Sequence, residues 1–128
     1  MRKSILAGIA ASVLLISSAA VLAQSAPATI ADTSKGKALV NGKGMTLYIF
    51  DRDTSGKSNC NGQCATNWPP LTAVADAKAS SDWTVVARDD GSKQWAYKGK
   101  PLYNWSKDTK PGDVTGDGIN NVWHIAAP

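Results

Sequence analysis

The chain has 128 residues, 43% of them hydrophobic and 19% charged, with a formal net charge of +4. That length gives one domain, and the composition excludes both a disordered tail and a membrane bundle. Two cysteines and one histidine exclude a zinc-finger array, and no Cys-x-x-Cys-His run is present to attach haem.

Residues 1–23 read as a secretory signal. Arg2 and Lys3 form its basic start, Ile5 to Leu15 its apolar centre, and Val21-Leu22-Ala23 the small-residue end, with cleavage after Ala23. The apolar run is broken and short for a membrane span of about 20 residues. No cysteine lies near the cleavage position to accept a lipid anchor. The expected location is periplasmic or secreted. Loss of Arg2 and Lys3 takes the net charge from +4 to +2, too weakly basic to suggest nucleic acid as a partner. Residues 24–34 read as a segment mobile at its start, with Thr29–Ala31 as a possible strand. Residues 35–128 form one domain, with a first repeat over 35–71, a linker over 72–81 and a second repeat over 82–125.

Further along, a Lys43-Gly44 turn leads to a strand over Thr46–Phe50. Cys60 and Cys64 follow. In an oxidising compartment their default state is a disulfide. The other reading is a redox pair, or a soft-metal site with Met45 and His124, though redox pairs usually have two intervening residues rather than three. Cys64–Asn67 suits a short helical turn, with Asn59 as its cap and Pro69-Pro70 as its end. Trp83–Ala87 alternates, with Trp83, Val85 and Ala87 on one face. Asp90-Gly91 turns the chain into Lys93–Tyr97, and Lys98-Gly99 turns it again into Leu102–Trp105. Asn121–Ile125 reads as a closing strand.

The chain also matches itself. A gapless shift of 55 residues places Gly36, Lys43, Gly44, Leu47, Tyr48, Asp53, Thr54 and Trp68 on Gly91, Lys98, Gly99, Leu102, Tyr103, Asp108, Thr109 and Trp123. One hairpin is not stable alone. Two repeats facing each other across a pseudo-two-fold could bury Leu47, Ile49, Val85, Leu102 and the tryptophans. The expected fold is therefore mainly β: a small antiparallel domain, a sandwich or a partly open barrel, built from two pseudo-symmetric repeats.

The repeated core is Tyr-x-aromatic-x-x-Asp, with Tyr48, Phe50 and Asp53 in the first copy and Tyr103, Trp105 and Asp108 in the second. On these residues the chain resembles a bacterial family of secreted repeats, described as predicted lipoproteins with a Yx(FWY)xxD motif. Leu47 and Leu102, Gly99–Tyr103, Cys64-Ala65, Trp68–Leu71 and Pro111–Asp113 look like it too. The likeness runs from about Lys37 to Ile125. It implies export and a two-repeat domain, and no activity. The chain departs from the lipoprotein description in having no lipid-acceptor cysteine.

Three kinds of chemistry are open to these residues. Asp113, Thr115 and Asp117 open a loop like that of an EF-hand, with Asn121 at its ninth position, and would make a weak calcium site. The twelfth position is His124, where a bidentate Glu is needed, and the chain has no Glu. Catalysis has little to work with. There is no Gly-x-Ser-x-Gly, one imidazole, and only Asp51, Asp53 and Asp108 as paired acids, so no enzyme is expected. Lastly, Trp95 and Tyr97 share a strand face beside Lys93 and Lys98 and form the expected contact face for an envelope protein or a glycan. The function expected is a non-catalytic binding or structural module with no required cofactor. The alternative is a redox or metal-binding periplasmic protein.

Overall fold

The computed structural model describes residues 26–128, so the expected signal segment and its cleavage position lie outside the described residues. Among those residues, no helix is long and apolar enough to cross a membrane. The protein is mainly β, with antiparallel sheets that do not close into a barrel.

Strand β1 (Thr29–Thr33) and strand β2 (Gly36–Val40) form a hairpin. Its tight turn is fixed by Thr33, whose Oγ1 donates to the Gly36 carbonyl at 2.6 Å and accepts from Lys35 N at 3.0 Å. Gly36 takes φ 105° there, a value an L side chain resists. The segment expected to be mobile at its start thus holds a strand from Thr29 onward. Next, Asn41 shapes the loop by accepting from Lys43 N and Met45 N through Oδ1. Strand β3 (Tyr48–Phe50) then leaves this hairpin and pairs with the last strand of the chain.

Helix α1 (Gln63–Asn67) is one short turn that ends at Trp68, ahead of Pro69 and Pro70. Asn59 does not cap it. Its side chain instead donates to the Arg52 carbonyl, and its backbone N–H donates to Asp53. Strand β4 (Thr72–Ala73) lies inside the expected linker and pairs with strand β6 (Lys93–Tyr97). Strand β5 (Trp83–Ala87) lies on the other side of β6, and β7 (Lys100–Pro101) folds back on its end. A 3₁₀ turn (Ile119–Asn121) precedes β8 (Trp123–Ile125).

The two repeats exchange their ends. Ala126, just past the expected end of repeat 2, inserts into repeat 1: its N–H donates to Leu47 O, and its carbonyl accepts from Leu39 N, both at 2.8 Å. Leu71, the matching residue of repeat 1, does the same in repeat 2, between Leu102 O (2.9 Å) and Trp95 N (2.8 Å). Each repeat therefore completes the other's backbone pairing, so neither satisfies its own polar groups alone.

These bonds also correct the gapless alignment. They make Leu39, not Val40, the counterpart of Trp95. The turn around Asp90-Gly91 is one residue longer than that at Ser34-Lys35, and the Lys98-Gly99 turn is one shorter than its counterpart, so the match regains register by Leu47 and Leu102.

Two apolar clusters fill the interior. Ala28, Leu39, Leu47, Leu102 and Ala126 form one, with Ile49, Leu71, Trp83 and Tyr97 half-buried against it. Tyr48, Cys60, Trp68, Tyr103 and Trp123 form the other. Full burial of a leucine such as Leu47 or Leu102 stabilises by about 1.5–3 kcal/mol. Of the expected core, Ile49, Val85, Trp83, Trp95 and Trp105 are only half-buried. The buried face carries Val86 in β5 and Arg88 just after it instead, while Trp83 on the opposite face lines a surface groove.

Candidate functional site

The repeated motif lies on the pseudo-two-fold itself. Tyr48 and Tyr103 are equivalent and exchange both backbone hydrogen bonds, N to O at 2.8 and 2.9 Å. Their hydroxyls then cross over. Tyr48 Oη donates to Asp108 Oδ2 at 2.5 Å, and Tyr103 Oη donates to Asp53 Oδ2 at 2.6 Å. Each motif tyrosine is thus bonded to the motif aspartate of the other repeat.

The third motif position caps a stack of four rings. Trp68 and Trp123 lie face to face on the axis, 3.7 Å apart and 1° from parallel. Phe50 stacks on the outer side of Trp123 at 4.2 Å, and Trp105 on the outer side of Trp68 at 4.0 Å. Tyr48 and Tyr103 meet the inner rings edge-on. Tyr-x-aromatic-x-x-Asp is therefore a joining device, whose parts fit only when two repeats meet.

Burial, and then the hydrogen bond to Asp108, pushes the Tyr48 phenol far above its ordinary range. Burial followed by the bond to Asp53 does the same to Tyr103. Burial also raises the Asp53 carboxyl, against the lowering effects of Tyr103, of Asn59 N–H and of the Arg88 charge. Arg88 is buried with neutral acceptors only: Ser58 Oγ at 3.0 Å, Gln94 Oε1 at 2.7 Å and Cys60 O at 2.6 Å. Tyr103 has one proton, and it goes to Asp53, so Ser58 must donate to Tyr103 across their 2.7 Å contact. The result is an ordered run from Arg88 through Ser58 and Tyr103 to Asp53. Sequence reading missed it. The only available signal was a charged residue on the strand face that Val86 buries.

Cys60 and Cys64 are joined in a disulfide, and no free cysteine exists among the described residues. This leaves no thiolate to bind a soft metal beside Met45 and His124. His124 sits at the surface, 2.8 Å from Asp51. The oxygens of the calcium-like loop are used by the loop and its neighbours. Asp113 accepts from Thr109 N and from Lys110 Nζ, both at 2.8 Å. Above all the Lys110 bond holds its carboxyl well below the usual range. Thr115 Oγ1 donates to Asp108, Asp117 Oδ1 accepts from Ile125 N, and Asn121 is exposed in the 3₁₀ turn. No group of three His, Cys or Asp side chains among the described residues could hold a metal ion.

The remaining aromatics gather elsewhere. The register of the β5–β6 hairpin sets Trp83 opposite Tyr97 and Val85 opposite Trp95. This puts Trp83, Trp95 and Tyr97 on one face. The Trp83 ring centre is 5.0 Å from that of Tyr97, and 6.3 Å from that of Trp95 at 84°. They line a groove of about 440 Å³, whose rim carries Thr29, Ser80, Ser81 and Asp82. Of the expected contact face, Trp95 and Tyr97 are in this groove. Lys98 Nζ lies 5.2 Å from the Tyr97 ring centre, whereas Lys93 lies apart, in a hollow with Thr72 and Gly91. Trp83 is the member sequence reading left out. The Asp90-Gly91 pair alone would not have placed it: a two-residue turn counted outward sets Trp83 opposite Lys98, and the observed three-residue turn over 89–91 is what sets it opposite Tyr97.

The groove is where the two repeats differ. At the positions of Trp83 and Trp95, repeat 1 has Ala28 and Leu39, by the exchange bonds and strand registers above. The same backbone unit is thus built without those rings.

The chain belongs to the Lipoprotein_15 family, a secreted repeat of unknown function, whose model matches it twice, over residues 29–72 and 84–127. The two matches are offset by the spacing that brings the two motif tyrosines together on the axis. No curated protein and no solved structure matches the chain.

Proposed function

We propose that this secreted repeat protein is a non-catalytic binding module, and that its ligand surface is the groove of Trp83, Trp95 and Tyr97, with a carbohydrate as the ligand. One observation carries this reading. The aromatics that both repeats share are consumed in the axial stack, while these three have no role that repeat 1 needs filled. Flat half-buried rings beside hydroxyl and carboxylate groups suit the apolar faces and hydroxyls of a sugar. The motif acids favour no catalysis, because Asp53 and Asp108 are each held by a tyrosine of the other repeat.

The test is intrinsic fluorescence and calorimetry against a panel of neutral and acidic oligosaccharides. Trp83→Ala and Trp95→Leu place in repeat 2 the residues that repeat 1 uses, so the fold is expected to survive. Binding by the native chain and its loss in both variants, with a folded circular dichroism spectrum and a cooperative melt retained, is the expected result. An empty panel, or binding that ignores both substitutions, refutes the groove as the ligand surface.

A further inference from the structure

We infer that the ligand of this groove is a linear, negatively charged glycan, read by Lys78, Lys98 and Lys100; the inference rests on the groove being the ligand surface. The first argument is continuity. Tyr97 lines both the groove and a second hollow of about 200 Å³, which Ile49, Leu102 and Ile125 also line. A ligand seated on Trp83 and Trp95 can therefore continue past Tyr97. A single sugar would leave the second hollow unused, whereas a chain of several would occupy both.

The second argument is charge. Lys98 and Lys100 line the second hollow and Lys78 the first. Among the described residues, none of the three lies within ion-pair distance of a carboxylate; Lys43, Lys93 and Lys107 elsewhere share that state, so what sets these three apart is their position around the two hollows. Asp82 is the one acid lining either hollow. Three unpaired cations around two hollows that share Tyr97 complement carboxylate groups repeated along a sugar chain. Their high exposure keeps them hydrated and free to reach a ligand.

The experiment compares tetragalacturonate with the neutral cellotetraose by calorimetry on the full described chain, at low and at physiological salt. Lys98→Gln/Lys100→Gln removes charge from exposed positions without touching the core. Expected are tighter binding of the acidic tetramer, a loss of about tenfold in the double variant at low salt, and a smaller loss at high salt. Trp95→Leu is expected to abolish binding of the acidic tetramer altogether. Equal binding of the two tetramers, or no effect of the lysine substitutions, overturns the acidic ligand while leaving the groove as a carbohydrate site. If hexa-aspartate binds as well as the acidic tetramer and Trp95→Leu has no effect on either, a mere cationic patch is at work and the inference fails. Binding of neither tetramer overturns the inference; if other sugars in the wider panel still bind through Trp95, the groove reading survives it.

Discussion

The crossed tyrosine–aspartate bonds can be tested by asking which aspartate each tyrosine senses. Tyr48→Phe removes one hydroxyl. It takes the donor from Asp108 Oδ2 at 2.5 Å, and leaves Gly116 N, 3.3 Å away, without its acceptor. Asp108 is buried, and its remaining donors are the N–H and hydroxyl of Thr115, both on Oδ1. A hydrogen bond to a charged group contributes about 1.5–3 kcal/mol, and the orphaned amide adds to the loss, so a cost of about 2–4 kcal/mol is expected. For a domain of this size that lowers the melting temperature by about 10–20 °C. The informative assay is a pair of double-mutant cycles in urea. Tyr48→Phe combined with Asp108→Asn, across the repeats, is expected to couple by about 1–3 kcal/mol. Tyr48→Phe combined with Asp53→Asn, inside one repeat, is expected to add to within about 0.5 kcal/mol, since Asp53 bonds Tyr103 instead. A larger coupling within the repeat than across it would refute the exchange geometry.

Other consequences follow from the same axis and its surroundings. A Cβ on Gly116 would lie 2.8 Å from Trp68 Cη2 and 3.0 Å from Trp105 Cγ, so Gly116→Ala should cost about 1–3 kcal/mol, while Gly42→Ala, with nothing within 4 Å, should change stability by under about 0.5 kcal/mol in a urea titration. Both motif phenols are raised, so their contribution is complete below their unfolded value near 10 and is lost as pH rises toward the folded values. Stability should then fall by about 2.7 kcal/mol per pH unit for the two groups, and in a Tyr97→Phe background phenolate absorbance should rise together with loss of circular dichroism; ionisation of both in a still-folded chain would contradict their burial. Millimolar calcium should leave the melting temperature within about 1 °C, because the loop oxygens already have partners; a rise that Asp117→Asn abolishes would show that they release them.

Much of the fold was legible because its signals are local. The two Lys-Gly turns, the strands Trp83–Ala87 and Lys93–Tyr97 and the Pro69-Pro70 stop act within a few residues and appear where the sequence puts them, whereas the strand expected over Leu102–Trp105 is reduced to β7 and isolated bridges at Tyr103. The repeat was legible too, since two copies of one unit carry the same side chains. What could not be read is which copy each group serves. Tyr48 and Asp53 are five residues apart and look like partners, yet each bonds the other repeat, a choice made by tertiary pairing alone. The β2 register was misjudged for a related reason: two compensating one-residue changes in turn length are invisible to a gapless match. Arg88 was missed because a charged residue is normally exposed, and nothing local announces three neutral acceptors converging on it.

Internal symmetry also separates what the fold needs from what it does not. A residue present in both repeats and placed on the axis is explained by joining them, and Tyr48, Tyr103, Trp68, Trp123, Asp53 and Asp108 are all of that kind. Repeat 1 then serves as a control for repeat 2, because it builds the same strands with Ala28 and Leu39 where repeat 2 spends Trp83 and Trp95. Large rings left half-exposed lose hydrophobic stabilisation relative to full burial, so architecture alone gives no reason for two tryptophans at those positions. That surplus sits in the groove, next to lysines that have no internal partner. The part of the molecule that its own symmetry leaves unexplained is therefore the part where a ligand is to be sought.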